Sequence, residues 1–262
     1  YSFLPTEATE SMSTVDVDRI VRYLQYTFVD GKFYTIFSLL FGIGFSIIIA
    51  NAVERGTNGF RIFYRRMVIL LSVGFLHLMF LWSGDILMLY ALLGMLLPLF
   101  RNVSNRMLLV SAFGLLAVPI AVDFTVELSG IYPSASVVKL QQTYCDKYGI
   151  TDENFAYWLR DAKHYSGTFK FLVQGALVRV QEFIDGNRYF KVLGLFLLGF
   201  YIGRNRLYAD LESRRPVLRQ IARYGFGFGL PLSLFYAWSI MNNCPQSLGA
   251  HSVLYFTSVF PL

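Results

Sequence analysis

Apolar residues dominate long stretches of this chain, at about 33–53, 67–82, 86–100, 107–127, 189–203 and 224–242, and a further one begins near His251. Each approaches or reaches the roughly 17–25 residues with which an α-helix crosses a bilayer. Residues 65 to 100 are the most telling. They open on Arg65-Arg66 and stay apolar apart from His77 and the interruption Trp82-Ser83-Gly84-Asp85. As one helix this segment would measure about 50 Å at roughly 1.5 Å per residue, against a hydrocarbon core of about 30 Å. The pattern therefore predicts a transmembrane hairpin turning at Gly84. Its arms hold only about 15 or 16 apolar residues each, so the turn is expected to sit recessed near the hydrocarbon boundary.

Other stretches are amphipathic without being long enough to span. Ser13-x-x-Asp16 resembles a capping box, after which Val17, Ile20, Val21, Leu24 and Phe28 share one helical face, as in a helix lying on a membrane surface. Thr151-Asp152-Glu153 is expected to start a short helix containing Phe155, Trp158 and Leu159. Residues 169–184 read as a third apolar stretch, broken by Arg179 and Glu182. Small residues recur every four positions at Ser38, Gly42 and Ser46, at Gly199 and Gly203, and at Gly225 and Gly229, the spacing with which helices approach closely in lipid.

Composition agrees with this picture: 55% of residues are hydrophobic, 15% are charged, and the mean hydropathy is +0.48, too little charge to cover a soluble surface. The fold class expected is all-α, a polytopic transmembrane helix bundle with amphipathic interfacial helices on its outer side. It divides into an outer amphipathic segment at 1–32, four transmembrane helices at 33–127, an outer cap loop at 128–188, and two further spans with the start of another at 189–262. The chain opens at Tyr1 without an initiator Met and stops at Pro261-Leu262 inside an apolar run, so it reads as an internal segment of a larger protein.

Charge orients the bundle. Arg55, Arg61, Arg65 and Arg66, then Arg101 and Arg106, then the arginines between 204 and 223 fall in alternate loops, whereas Ser83-Gly84-Asp85 and 243–250 carry no Lys or Arg. By the positive-inside rule the arginine-rich loops are cytoplasmic and the long 128–188 loop is outside, in a bacterial inner membrane. The net charge of +6 then belongs beside lipid headgroups and does not signal nucleic acid. Neither a P-loop, a strand-embedded dinucleotide fingerprint, zinc spacing nor a tandem repeat is present, which leaves no metal site to propose.

Candidate chemistry gathers at the hairpin. His77 lies about 7–8 Å below the turn, level with Tyr90 on the returning arm, and an intramembrane imidazole either acts as general base or hydrogen-bonds a neighbouring helix. Asp85 begins the returning helix, where a carboxylate can cap free N–H groups or line a cavity. Lys32, just before the first span, and Arg65 with Arg66 at the start of the hairpin read as snorkelling anchors or as contacts to an anionic substrate. Asp123 and Glu127 form a weaker acidic pair. Cys145 and Cys244 are the two cysteines and fall on the same outer face, which predicts a disulfide between them.

The segments Gly31-Lys32-Phe33-Tyr34-Thr35-Ile36-Phe37-Ser38-Leu39-Leu40-Phe41-Gly42-Ile43-Gly44-Phe45 and Leu76-His77-Leu78-Met79-Phe80-Leu81-Trp82-Ser83-Gly84-Asp85-Ile86-Leu87, with Tyr90-Ala91-Leu92-Leu93-Gly94, closely resemble a bacterial inner-membrane family, domain of unknown function 418, the YeiB-like proteins. That family is distantly similar to transmembrane acyltransferases, including heparan-alpha-glucosaminide N-acetyltransferase. The resemblance implies transfer of an acyl or acetyl group from a donor such as acyl-coenzyme A to a saccharide or lipid-like acceptor. His77 would be the base, Asp85 would orient it, Tyr90 and Lys32 would line the substrate site, and Arg65 and Arg66 would sit near the donor. In that acetyltransferase the working histidine lies in the first outer loop. Residues 1–32 here hold none, so the role falls to His77, His164 or His251. Two other classes stand beside this one: a transporter or channel for a small or lipid-like molecule, and a non-catalytic structural subunit.

Overall fold

The computed structural model describes residues 15–155, 157–209, 211–242, 244 and 247–259. All regular structure among them is helical. Helices α1 (Val15–Phe28), α2 (Lys32–Glu54) and α3 (Gly59–Leu76) lead into a π-helical turn at His77–Leu81, then α4 (Leu87–Gly94) and a 3-10 turn at Leu97–Phe100. After these come α5 (Asn105–Ser129), α6 (Ala135–Tyr148), the short α7 (Asp152–Phe155) and α8 (Trp158–Asp161), α9 (Tyr165–Asp185), α10 (Arg188–Arg204), α11 (Leu211–Met241) and α12 (Leu248–Val259). Ser13 of the expected capping box lies outside the described residues.

Among the described residues, three stretches are long and apolar enough to cross a membrane: Val17–Glu54, Gly59–Leu81 and Asn105–Ser129. The first arm of the hairpin therefore starts at Gly59, earlier than the apolar run beginning at residue 67 suggests, because Asn58 caps it by accepting from the Phe60 and Arg61 amides. At full length this arm removes half of the argument for a recessed turn. Only the return arm, Leu87–Phe100, is short, and it is broken between α4 and the 3-10 turn.

The side chains are distributed as a lipid-facing bundle requires. On α2 the inward face carries Lys32, Thr35, Ser38, Gly42 and Ser46, while Phe33, Ile36, Phe37 and Leu40 face outward. Apolar–polar sorting of this sense, with small and polar groups inside and large apolar ones outside, is unfavourable in water and ordinary in lipid. The face Val17, Ile20, Val21, Leu24 and Phe28 of α1 is likewise exposed, and α1 holds to α11 through the Tyr23 hydroxyl, which donates to the Leu234 carbonyl at 2.9 Å.

At the centre stands α10, with Val192, Leu195, Phe196, Leu197 and Phe200 all buried. Its partners are chiefly α2 and α5. The small-residue stripes predicted from the sequence meet one another here. A Cβ at Gly199 would stand 2.9 Å from the Leu39 carbonyl carbon and 3.1 Å from Gly42 Cα, and one at Gly203 2.9 Å from Ser46 Cβ. Phe41 stacks on Phe196 with ring centroids 4.4 Å apart, and Phe45 meets Phe63 and Phe200 edge-on.

The 128–188 segment differs from expectation in two ways. A helix not foreseen, α6, opens it, and α9 runs unbroken through Arg179 and Glu182, which pair with each other at 2.6 Å one turn apart on its surface. α9 lies against α6, α10 and the π-helical turn of the hairpin. The expected Cys145–Cys244 bridge does not form. Cys145 is carried by α6, which rests on α9, whereas Cys244 follows α11 in the group that packs on α1 and α5, so the two cysteines ride on different parts of the bundle.

Candidate functional site

Tight winding at the end of the first hairpin arm sets up the site. The π-helical turn closes with the Trp82 amide donating to the His77 carbonyl at 2.8 Å, after which Trp82 turns into extended backbone. π-turns are rare and recur at functional sites. The two arms touch backbone to backbone: a Cβ at Gly74 would lie 2.6 Å from the Met88 nitrogen. This close approach brings Asp85 back beside the histidine eight residues earlier. His77 Nδ1 stands 3.3 Å from Asp85 Oδ1, and Asp85 Oδ2 accepts from the Met88 amide at 3.0 Å.

Asp85 is buried, while the His77 side chain is 36% exposed. Nδ1 makes no aligned hydrogen bond, so the carboxylate faces it as an electrostatic and orienting neighbour. A carboxylate at Nδ1 favours the tautomer whose Nε2 is a free base and stabilises the imidazolium formed when that base takes a proton. Asp85 thus caps the start of α4 with one oxygen and faces the imidazole with the other.

Tyr90 goes elsewhere. Its hydroxyl lies 2.7 Å from Ser38 Oγ and donates to the Tyr34 carbonyl at 3.0 Å, tying α4 to α2, while His77 faces Asp85. Lys32 is no snorkelling anchor: it is buried, and its Nζ donates to Ser233 Oγ of α11 at 3.1 Å, while Ser233 Oγ donates to the Ser258 carbonyl at 2.7 Å. Arg65 and Arg66 are exposed on α3, eleven or more residues and so about 16 Å from His77 along the axis. The structure brings His77 and Asp85 together and leaves the other four apart.

Above the turn lies a cavity of about 460 Å³ that sequence reasoning missed. Trp82, Ser83 and Gly84 form one wall, Gln174, Arg179 and Glu182 of α9 another, and Asp30, Tyr34, Arg188 and Tyr255 close it. α9 is clamped down on the turn. Arg179 Nε donates to the Ser83 carbonyl at 2.9 Å, Tyr165 donates to the Phe80 carbonyl at 2.8 Å, and a Cβ at Gly175 would stand 2.6 Å from Ser83 Cβ. Neither His77 nor Asp85 lines this space; Trp82, Ser83 and Gly84, which lie between them in sequence, do.

Polar groups continue behind the cavity. Asn187 Nδ2 donates to Asp123 Oδ1 at 2.8 Å, Lys191 Nζ lies 4.4 Å from the Tyr255 ring, and His251 sits against Tyr236 and Tyr255. Asp123 and Glu127 do not act as a pair: Glu127 Oε2 instead accepts from the Gly249 amide at the start of α12. Among the described residues no group of three or more His, Cys, Asp or Glu side chains could hold a metal ion.

Comparison with known proteins finds no matching family model and no matching solved structure. An uncharacterized 39.9 kDa protein in the amylase 3′ region of Bacillus acidopullulyticus is 41% identical over 90 residues, which are 34% of this chain and 26% of that protein. The uncharacterized protein YxaH of Bacillus subtilis strain 168 is 26% identical over 238 residues, 87% of this chain and 56% of YxaH. The uncharacterized protein YeiB of Escherichia coli strain K12 is 37% identical over 65 residues, 25% of this chain and 15% of YeiB. The chain thus spans little more than half of the most fully covered of these relatives, and none of their names carries an activity.

Proposed function

We propose that this membrane protein transfers an acyl group from a thioester donor to the hydroxyl or amine of an acceptor, with His77 as general base. The observation that supports this reading is the buried Asp85 carboxylate 3.3 Å from His77 Nδ1, fixed by the Met88 amide. In the reaction, His77 Nε2 takes the acceptor's proton as its oxygen or nitrogen attacks the thioester carbonyl. The carbon–sulfur bond then breaks, and the imidazolium returns the proton to the departing thiolate, giving an acyl ester or amide and a free thiol. A base so positioned contributes roughly 10²–10⁴-fold to rate. Acyl-coenzyme A is the donor the family resemblance suggests, and a saccharide or lipid-like molecule is the acceptor. Arg65 and Arg66 are too far from His77 to touch the thioester, so any role for them is with the phosphates of an extended donor.

Transport of a small or lipid-like molecule is favoured by a different observation, the Asp123, Asn187, Lys191 and His251 groups that continue from the cavity into the bundle. Thiol release from an acyl thioester by the purified full-length protein separates the two. Transfer predicts release that His77→Ala abolishes while the variant elutes from size exclusion like the parent. Equal release by both proteins would return His77 to a structural tie, and no release by either would leave transport as the better account.

A further inference from the structure

The cavity walls hold one buried polar atom without a partner and two half-buried charges that form no ion pair among the described residues. Gln174 is 4% exposed, and its Oε1 has no hydrogen-bond partner. The buried Tyr34 hydroxyl meets the side chain of Tyr255. Arg179 and Glu182 neutralise one another, but Arg188 and Asp30 make no ion pair or hydrogen bond among the described residues, although both act electrostatically on Tyr34, which lies between their influences. A buried polar atom in the condition of Gln174 Oε1 is rare in native proteins and calls for an explanation. Gln174, Asp30 and Arg188 border the same space.

Their chemistry specifies what would satisfy them. Gln174 Oε1 and the Asp30 carboxylate accept and never donate through those atoms, so they need N–H or O–H groups, and the carboxylate favours a cation. Arg188 needs anionic oxygens, and its fork suits a phosphate. Trp82, Phe155 and Phe171 supply apolar walls, and the volume falls within the roughly 300–1,000 Å³ of small-molecule sites. Trp82 in the cavity wall is also exposed, and tryptophan settles at the level of lipid headgroups.

We propose that this cavity binds a zwitterion in which a primary ammonium is joined to a phosphate, the ethanolamine phosphate group, either as the headgroup of an aminophospholipid or free in solution. The ammonium faces Asp30 and Gln174, and the phosphate faces Arg188. This proposal stands apart from the transfer reading, because neither His77 nor Asp85 lines the cavity.

Calorimetric titration of the full-length protein in a neutral detergent, with dihexanoyl phosphatidylethanolamine, dihexanoyl phosphatidylcholine, dihexanoyl phosphatidylglycerol and soluble ethanolamine phosphate, tests it. The ethanolamine lipid is expected to bind about tenfold or more tightly than the choline lipid, whose quaternary nitrogen donates no hydrogen bond, and than the glycerol lipid, which has no cation. Arg188→Gln and Asp30→Asn each reduce that affinity by about tenfold or more, and His77→Ala leaves it unchanged. Binding of soluble ethanolamine phosphate at similar affinity identifies a free ligand; binding of the lipid alone identifies a headgroup. No preference for the ethanolamine lipid over the other two, or wild-type affinity in both cavity variants, overturns the proposal. Should a variant fail to fold, the ranking of the three lipids by the wild-type protein decides.

Discussion

At the scale of single residues, Asp85 and Lys32 show how a buried charge is held. Asp85 serves the Met88 amide with one oxygen and faces His77 with the other. Asp85→Asn keeps an acceptor for the amide but loses the charge beside the imidazole. Its melting temperature is therefore expected to stay near that of the parent, while thioester transfer falls by roughly 10²-fold or more; Asp85→Ala also loses the cap, at about 1 kcal/mol of stability. A melting curve and a rate for each variant check this, and unimpaired transfer by Asp85→Asn would remove the carboxylate from the mechanism. Lys32 depends on Ser233, whereas Ser233 also has the Ser258 carbonyl. Ser233→Ala strands a buried ammonium and is expected to cost about 1–3 kcal/mol. Lys32→Met leaves Ser233 satisfied and is expected to cost less, an order that denaturation in detergent reads directly.

Among the elements, the contact between α2 and α10 depends on glycine. With the Leu39 backbone and Gly42 within about 3 Å of where a Cβ at Gly199 would stand, no rotamer change can make room, because the obstruction is backbone. Gly199→Ala is expected to destabilise by about 1–3 kcal/mol, the range for overpacking. Gly44→Ala, on the same α2 helix but with nothing within 4 Å of its Cβ, is expected to be neutral or stabilising by up to about 1 kcal/mol through helix propensity. Thermal unfolding of the two variants side by side measures the seam itself, and equal behaviour would show that α2 and α10 are not so closely packed. The π-helical turn acts similarly on the other helix pair: it ends α3 with His77 and Asp85 on one side of the hairpin and gives α9 a surface to close over.

For the whole molecule, the orientation drawn from the arginine pattern has an outcome that labelling reads. In a background where Cys145 and Cys244 are replaced by serine, a cysteine at Gly84 or within 130–165 is expected to react with an impermeant reagent from outside intact cells, and one at Thr57 or Ser213 is not. The opposite pattern would reverse the bundle and move the cavity to the cytoplasmic face. The arginine-bearing end also has a structural role: Arg204 donates to the Val103 carbonyl at 2.7 Å and to Asn105 Oδ1, locking the end of α10 to the start of α5. Charge there fixes helix ends as well as meeting lipid.

What the sequence determined by itself was whatever follows from local periodicity and chain length. Long apolar runs required helices in lipid, Gly84 required a turn, and the four-residue repeat of Ser38, Gly42 and Ser46 marked the face that α10 would meet, since in a membrane close approach depends on small side chains whose spacing is visible in one dimension. The tertiary structure alone decided which polar groups converge. Asn58 moved the start of α3 through a capping bond that hydropathy does not register, and Lys32 found its serine two hundred residues away. Cys145 and Cys244 share a face in the expected topology but ride on separate parts of the bundle. The cavity draws on Asp30, Gln174 and Arg188, which have no periodicity in common and meet only because α9 folds back on the hairpin turn, and long-range contacts of that kind are set by packing between elements.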